Sequence, residues 1–130
     1  MAPELCEQRA YDSKVDVWAV GVILYVMMSG RYPFVGKSKD QIYKLCVNSE
    51  PDYTKIVGSG DELIDVIKAC LIKKAAERPT ISQILEMPWF ETMRSNNLTD
   101  QTKLNISTNL AAFTKLTNFQ SGICSIIANL

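Results

Sequence analysis

The sequence has 130 residues, of which 47% are apolar and 22% are charged, so it has the composition of a globular chain with room for one compact domain and a short tail. Its 14 lysine and arginine residues balance 14 aspartate and glutamate residues. This balance gives no net field that would favour nucleic acid or an anionic membrane as a partner.

The first strong helical segment covers residues 16–28, after a mixed polar stretch at residues 1–14 that is predicted to be a loop. It begins at Asp16, is apolar at nearly every position and is followed by Gly30, which is typical of a helix ended by glycine. Because the apolar residues occupy all faces, we predict a central helix with protein on every side. The run is too short to cross a bilayer, so no membrane span is expected.

Three shorter helices are predicted further along the chain, at residues 38–48, 61–73 and 80–87. Apolar residues recur in them at three- and four-residue steps. Ser38 and Thr80 stand where a side chain can cap a helix N-terminus. Strand signals are weak throughout, and the predicted fold class is therefore all-α.

The composition changes after Asp100, because the remaining residues carry only two charges, Lys103 and Lys115. We predict a helix over residues 106–128, with a bend or break at Gly122, whose apolar face needs a surface to lie on. The residues of that face are Ile106, Leu110, Phe113, Leu116, Phe119 and Ile123.

Four short motifs occur in the order and at about the spacing found in protein kinases. They are Ala2-Pro3-Glu4, Asp16-Val17-Trp18-Ala19-Val20-Gly21, Gly30-Arg31-Tyr32-Pro33-Phe34 and Glu77-Arg78-Pro79-Thr80. Each motif alone is weak, but their common register makes coincidence improbable. The chain therefore resembles the C-terminal half of the large lobe of a Ser/Thr protein kinase, from the Ala-Pro-Glu motif onward, followed by a regulatory helix.

The resemblance implies three regions along the chain. Residues 1–93 correspond to the kinase large lobe (C-lobe), residues 94–105 to a linker, and residues 106–130 to an amphipathic regulatory or junction helix. The large-lobe assignment also rests on Met87-Pro88-Trp89-Phe90, which is similar to the closing motif of the family with methionine where histidine is common.

The resemblance also implies that Ala2, Pro3 and Glu4 close the activation segment and that Glu4 pairs with Arg78. A carboxylate and a guanidinium can form a bidentate, partly buried ion pair, which would pin the end of the segment to the lobe. The alternative is that both side chains are solvated surface charges.

The second motif implies structural roles for Asp16, Trp18 and Gly21. Asp16 resembles the kinase aspartate that accepts backbone amide bonds from the catalytic loop, although a plain N-terminal helix charge is the alternative. Trp18, Ile23 and Met27 are expected in the core. In kinases, positions matching Ile23 and Met27 support the stack of side chains beneath the adenine.

The groups that perform phosphoryl transfer in kinases precede the Ala-Pro-Glu motif, namely the Gly-rich loop, the strand lysine, and the H-R-D and D-F-G motifs. This sequence contains none of them, has no histidine and shows no other catalytic constellation. We therefore predict no catalytic residue and no metal site in these 130 residues, and no kinase activity from them alone. The parent protein would bind ATP and Mg²⁺ through the N-terminal remainder of the kinase and phosphorylate protein substrates.

The tail suggests a branch of the family. Residues 109–130 resemble the junction of the calcium-dependent protein kinases of plants and apicomplexan parasites, where a helix joins the kinase to a calcium-binding domain. Those junctions carry several basic residues, whereas this stretch has only Lys115. No calcium-binding loop motif occurs in the sequence, so any Ca²⁺ site would lie beyond Leu130. The junction helix would pack on that calcium-binding domain or on the C-lobe.

Two other interpretations stay open. Lys74 and Ala75 replace the Asp-Pro pair common in this region of kinases, which allows a pseudokinase parent. The chain could also be a non-enzymatic helical interaction module, which would fold as a closed bundle rather than as the base of a kinase lobe. Upstream sequence with H-R-D and D-F-G motifs would decide for an active kinase.

Two expectations concern the environment of the chain. Four cysteines without a C-x-x-C pair indicate free thiols in a reducing, cytoplasmic setting. Apolar surface left open on the helix at residues 16–28 predicts that the isolated chain self-associates, with the tail helix crossing onto a second copy.

Overall fold

The structure is a computed structural model that describes residues 1–57, 60–95 and 100–114, and these residues contain helices and no strand. The all-α prediction is confirmed. Among these helices, none has both the length and the apolar content that a membrane span requires. The helices are α1 (Pro3–Cys6), α2 (Lys14–Ser29), α3 (Lys39–Asn48), α4 (Asp61–Cys70), α5 (Ile81–Leu85), α6 (Pro88–Ser95) and α7 (Asp100–Thr114), with one 3-10 turn at Tyr53–Lys55.

Helix α2 lies at the centre of the fold and packs against α4 and α7. Gly21 makes the contact with α4 possible, because a Cβ there would lie 2.6 Å from the Cβ of Cys70 and 3.0 Å from the Cδ2 of Leu71. The buried apolar side chains of the two helices form most of the core: Val17, Trp18, Tyr25, Val26, Met28, Leu63, Val66, Ile67 and Cys70.

Helix α2 does not meet protein on every side in the described chain, and it leaves apolar surface open, as predicted from the sequence for the isolated chain. Ala19 is exposed, Ile23 is 57% exposed and Met27 is half-buried. These residues form a strip on α2 that we call the open strip. It is uncovered because α4 and α7 pack against other faces of the helix, and Ile23 is therefore not a core residue here.

The ends of α2, α3 and α4 lie within three residues of the predicted ones. Helix α2 begins at Lys14, two residues before Asp16, and α3 begins one residue after its cap, Ser38, whose side chain accepts a hydrogen bond from the Gln41 amide (3.2 Å). Helix α4 ends at Cys70 rather than at residue 73. The backbone carbonyls of residues 72 and 73, beyond this end, accept hydrogen bonds from the Arg78 side chain.

Two helices were not predicted, α1 and α6, and each has proline at its first position. Proline is favoured there because a helix leaves the first amides unpaired. Helix α1 is too short to show a periodicity. Between α4 and α6, α5 carries the predicted cap: Thr80 and Gln83 form a reciprocal capping box, and the helix ends at Leu85, two residues before the predicted end.

The tail helix α7 begins at Asp100, inside the stretch predicted to be a linker, and is described as far as Thr114. Ile106 packs against the core as predicted, but Leu110 is 40% exposed. The face of α7 that contacts α2 includes Asn109, whose side chain donates hydrogen bonds to α2. The Phe113 side chain and the predicted apolar residues Leu116, Phe119 and Ile123 lie outside the described residues, as does the predicted bend at Gly122.

Asn109 caps the C-terminus of α2. Its Nδ2 donates to the carbonyl oxygens of Met27 (3.1 Å) and Met28 (2.8 Å), which lie in the last turn and lack partners within their own helix. Gly30 ends α2 with a left-handed backbone (φ 67°), and a Cβ at that position would lie 3.3 Å from the Asn109 Oδ1. The α2 C-terminus and the tail helix are thus fitted to each other.

We expect Asn109→Ala to weaken the docking of α7 by about 1–2 kcal/mol, because two hydrogen bonds to helix-end carbonyls are lost. Hydrogen–deuterium exchange of residues 100–114 measures the effect as faster exchange. Thr108→Ala, at an exposed neighbouring position, is the matched control. Equal exchange rates in both variants would show that Asn109 does not hold the helix.

Candidate functional site

The Ala-Pro-Glu motif forms the first turn of α1. Pro3 occupies the first helical position and Ala2 the cap, and both are buried. Proline fixes the backbone at a helix start and sacrifices only an amide that the helix leaves unpaired. Glu4 follows on this rigid turn and is 5% exposed, so its carboxylate points into the protein.

Arg78 meets Glu4 in a bidentate ion pair. Its Nη1 lies 2.8 Å from Glu4 Oε1 and its Nη2 lies 3.0 Å from Glu4 Oε2, and the Arg78 side chain is fully buried. A turn places it there, because the Arg78 amide donates to the Lys74 carbonyl (3.1 Å). The structure thus contains the contact predicted from the two motifs, and the alternative of two solvated charges is wrong for these side chains.

The remaining guanidinium hydrogens of Arg78 bind backbone carbonyls. Nη1 donates to Lys14 at 2.7 Å, Nε donates to Ile72 at 3.0 Å, and Nη2 makes a longer bond to Lys73 at 3.4 Å. One side chain therefore joins α1, the start of α2 and the segment after α4. All the N–H donors of Arg78 have an acceptor. These hydrogen bonds offset the cost of removing the charge from water.

The protonation of Glu4 follows from this environment. Burial raises the pKa of Glu4, but the hydrogen bonds from Arg78 and from the backbone, together with the Arg78 charge, outweigh burial and hold the pKa below its ordinary value of 4.5. Glu4 is therefore ionised at neutral pH, as the ion pair requires.

Trp18 packs beside the ion pair, with its ring facing Arg78. The Arg78 Cζ lies 5.0 Å from the Trp18 ring centroid, and the Lys73 Nζ lies 5.1 Å from it, so two cations face this ring. Phe34 stacks on Trp18 at a centroid distance of 6.0 Å. The Lys73 Nζ lies 4.2 Å from the Phe34 ring centroid. Trp18 is 1% exposed, and its Nε1 has no hydrogen-bond partner among the described residues.

Two lysines that the sequence did not single out hold the same region together. The Lys14 Nζ donates to the carbonyls of Ala75 (3.0 Å) and Ala76 (3.2 Å), and the Lys73 Nζ donates to the carbonyl of Cys46 (2.9 Å). Burial lowers the pKa of Lys73, partly offset by Glu50. A lysine that binds backbone carbonyls leaves no motif in a sequence, because the acceptor can belong to any residue.

Asp16 and the open strip lie apart from the ion pair. Asp16 stands in the first turn of α2 and is exposed, and its carboxylate has no partner within the described part of the chain. Its predicted role toward a catalytic loop therefore stays a prediction, as does the adenine-stack role of Ile23 and Met27. Gly21 is at a third place, the contact of α2 with α4.

The ion pair holds segments in place and has no geometry for bond chemistry. The Glu4 carboxylate and the Arg78 guanidinium are already hydrogen-bonded to each other and to the backbone. The described residues contain no cluster of three potential metal-ligating side chains. What this site can do is fix the position of the Ala-Pro-Glu turn relative to α2 and α4.

Comparison with known proteins places this geometry in a family. Residues 1–90 match the family model described as the protein kinase domain. The chain is 41% identical over 105 residues to a putative serine/threonine-protein kinase of Saccharomyces cerevisiae, which covers 79% of this chain and 11% of that protein. It is 36% identical over 107 residues to calcium-dependent protein kinase 5 of Plasmodium falciparum, which covers 81% of this chain and 19% of that protein.

The fold comparison agrees with the sequence comparison. The twitchin kinase region from C. elegans superposes with a TM-score of 0.69 at 28% identity, over 90% of this chain and 20% of that one. The chain thus superposes on part of a kinase rather than forming an unrelated closed bundle, and it spans between a tenth and a fifth of the two curated relatives' lengths. The match over residues 1–90, with the buried Glu4–Arg78 pair inside it, shows that the chain belongs to the protein kinase family.

Proposed function

We propose that this chain is the base of the large lobe in a Ser/Thr protein kinase that transfers the γ-phosphate of ATP to protein serine or threonine. Within that protein its task is to anchor the end of the activation segment. The observation that carries the proposal is the bidentate, fully buried contact between Glu4 of the Ala-Pro-Glu turn and Arg78.

The anchor works through the segments that Arg78 joins. The guanidinium binds Glu4 on one side and the Lys14 and Ile72 carbonyls on the others, so the turn cannot shift without breaking several charge-assisted hydrogen bonds. A fixed end lets the preceding activation segment present a protein substrate in one place, and positioning of this kind is a large part of phosphoryl-transfer catalysis.

The catalytic groups, ATP and Mg²⁺ would belong to the N-terminal remainder of the kinase. The open strip on α2 supports this assignment, because an exposed isoleucine beside Ala19 on a central helix is apolar surface that another element can cover. In the parent, Asp16 would accept backbone amides from the catalytic loop. Ile23 and Met27 would support the side chains beneath the adenine.

Calcium regulation is the finer part of the proposal. Two observations support it. The relative from Plasmodium falciparum is a calcium-dependent protein kinase by its description. The tail helix docks on α2 through Ile106 and Asn109. Ca²⁺ would act through a domain beyond Leu130, which would compete with the C-lobe for the tail helix. Activity of the parent that is unchanged between Ca²⁺ and a chelator would remove this part of the proposal.

We expect the pure 130-residue chain to transfer no phosphate. The measurement is incorporation of radiolabelled γ-phosphate from ATP and Mg²⁺ into mixed basic protein substrates, with an active Ser/Thr kinase as the positive control. Incorporation that persists through a second, independent purification would overturn this assignment.

The parent protein supplies the complementary test. It should phosphorylate serine or threonine, and Glu4→Gln should lower that activity more than Glu77→Gln, since Glu77 is an exposed acid on the neighbouring turn. A parent that binds no ATP would instead support the pseudokinase alternative. Equal activity of the two variants would remove the anchoring role.

A further inference from the structure

The open strip on α2 belongs to an apolar seam along that helix. Ala19 and Ile23 are exposed, and Met27 is half-buried. Val20 beside them is also half-buried, and within the described chain neither Val20 nor Met27 packs against the buried core. Val20, Ile23 and Met27 follow one another at steps of three and four residues, the spacing at which one helix packs along another. The seam therefore fits a second helix.

Charged side chains of opposite sign stand at the two ends of this seam. Asp16 lies in the first turn of α2, Arg31 follows Gly30 just past its last turn, and both are exposed. Within residues 1–57, 60–95 and 100–114, neither the Asp16 carboxylate nor the Arg31 guanidinium has a hydrogen-bond or ion-pair partner. Helix α2 therefore offers an apolar seam with a free acid at one end and a free base at the other.

A two-fold axis makes this arrangement self-complementary. Asp16 and Arg31 lie equally far along the chain from a point just after Ile23. Val20 and Met27 also lie equally far from that point. Two copies of α2 laid antiparallel would bring each Asp16 to the Arg31 of the other copy. The same arrangement would place each Val20 opposite the other copy's Met27, with Ile23 next to the axis.

We propose that the 130-residue chain forms a symmetric dimer through the open strip, with α2 of one copy antiparallel to α2 of the second copy. Removal of the apolar seam from water drives the association. The two pairs of Asp16 with Arg31 set the direction of the helices, because a parallel arrangement would place like charges together. The described part of the tail helix packs on its own α2 through Ile106 and Asn109, so the copies meet without exchanging it.

This dimer is separate from the kinase activity proposed above. In a complete kinase the N-terminal remainder would cover the open strip, and the same face would then not be free for a second copy. The dimer therefore concerns the 130-residue chain by itself. Its failure would leave the proposed kinase function untouched, because that function rests on the pair of Glu4 with Arg78.

Sedimentation equilibrium of the full chain over a dilution series measures the dissociation constant of the dimer. Ile23→Asp should raise this constant at least about a hundredfold, because the dimer would then bury two unpaired carboxylates near its axis. Ile81→Asp is the matched control, since Ile81 is an exposed isoleucine on α5, away from the seam. It should leave the constant unchanged.

Charge reversal tests the direction of the two helices. Asp16→Arg and Arg31→Asp each put like charges at both ends of the seam, so each alone should raise the dissociation constant about tenfold at low salt. A mixture of the two variants restores opposite charges at both ends. Native mass spectrometry should therefore find the mixed dimer in excess over either homodimer. At about 1 M salt this preference should fade, because the Debye length falls to about 3 Å.

Three outcomes would overturn the proposal. A wild-type chain that stays monomeric throughout the dilution series is the first, and a dimer gained by Phe119→Asp would then identify residues 115–130 as the cover of the strip. The second is a dimer lost in Phe119→Asp but kept in Ile23→Asp, which would favour exchange of the tail. The third is a mixture of the charge variants with no excess of the mixed dimer. If Ile23→Asp does not fold, the charge variants decide.

Discussion

Replacing Arg78 with alanine is expected to lower the free energy of unfolding by about 3–5 kcal/mol. The substitution strands the buried Glu4 carboxylate and leaves the Lys14 and Ile72 carbonyls without their donor. It also removes the guanidinium that lies 5.0 Å from the Trp18 ring centroid. Urea unfolding followed by tryptophan fluorescence measures the loss, since Trp18 itself reports on this region.

Two other substitutions calibrate that result. Glu4→Gln should cost less than Arg78→Ala, because Arg78 keeps its backbone carbonyl acceptors when the carboxylate is lost. Glu77→Gln removes the exposed ion pair with Lys74 and should change stability by less than about 1 kcal/mol. An Arg78→Ala chain as stable as the Glu77→Gln chain would show that the buried pair does not hold the fold.

The pH dependence of unfolding tests the same ion pair. Because the pKa of Glu4 is lower in the folded protein than its ordinary value of 4.5, its contribution is complete above that value. The contribution is lost as the pH falls below 4.5 and through the lowered folded-state pKa. We expect the wild-type chain to lose more stability over this acidic range than the Glu4→Gln variant, and parallel pH profiles would contradict this assignment.

Gly21→Ala is expected to lower the free energy of unfolding by about 2 kcal/mol. The new methyl group would lie 2.6 Å from the Cys70 Cβ, an atom fixed to the α4 backbone, so α2 and α4 would have to move apart. Alanine is better than glycine in a helix by about 1 kcal/mol, and the expected value already includes that gain. The urea midpoint measures the net effect.

Gly60→Ala is the matched control for that substitution, because nothing lies within 4 Å of a Cβ at Gly60. Gly60 caps α4, where replacing glycine by alanine should cost no more than about 1 kcal/mol. A Gly21→Ala chain that is more stable than wild type would mean that helix propensity outweighs the clash and that the two helices separate at little cost.

The longer helices were predictable from the sequence, because a helix that buries one face has apolar residues at three- and four-residue steps. Apolar residues at helical spacing indicated α3 and α4, and the unbroken apolar run indicated α2. The capping residues Ser38 and Thr80 were also correctly placed, since a cap depends on the residues within one turn of it. The C-terminal end of α4 was not: the helix ends at Cys70, three residues before the predicted end.

The sequence also identified the two ends of the candidate site, because Glu4 and Arg78 each stand in a short motif of fixed spacing. It could not show that Lys14 and Lys73 bind backbone carbonyls there, since an acceptor of that kind has no side-chain signature. Nor could it show which face of the tail helix meets α2. The apolar pattern favoured Leu110 as a contact residue of the tail helix. In the structure Asn109 makes the contact, through its hydrogen bonds to the end of α2.

The sequence by itself determined the all-α class and the central position of α2, because apolar periodicity and helix caps are local properties of the chain. The pairing of the two motif charges was implied by the resemblance of the motifs to those of protein kinases. Only the tertiary structure decided that the charge pair is buried and bidentate and that Ile23 is exposed. These facts depend on which distant segments pack together. Packing of this kind is set by the shape of the whole core, in which Gly21 leaves the space that lets α2 approach α4.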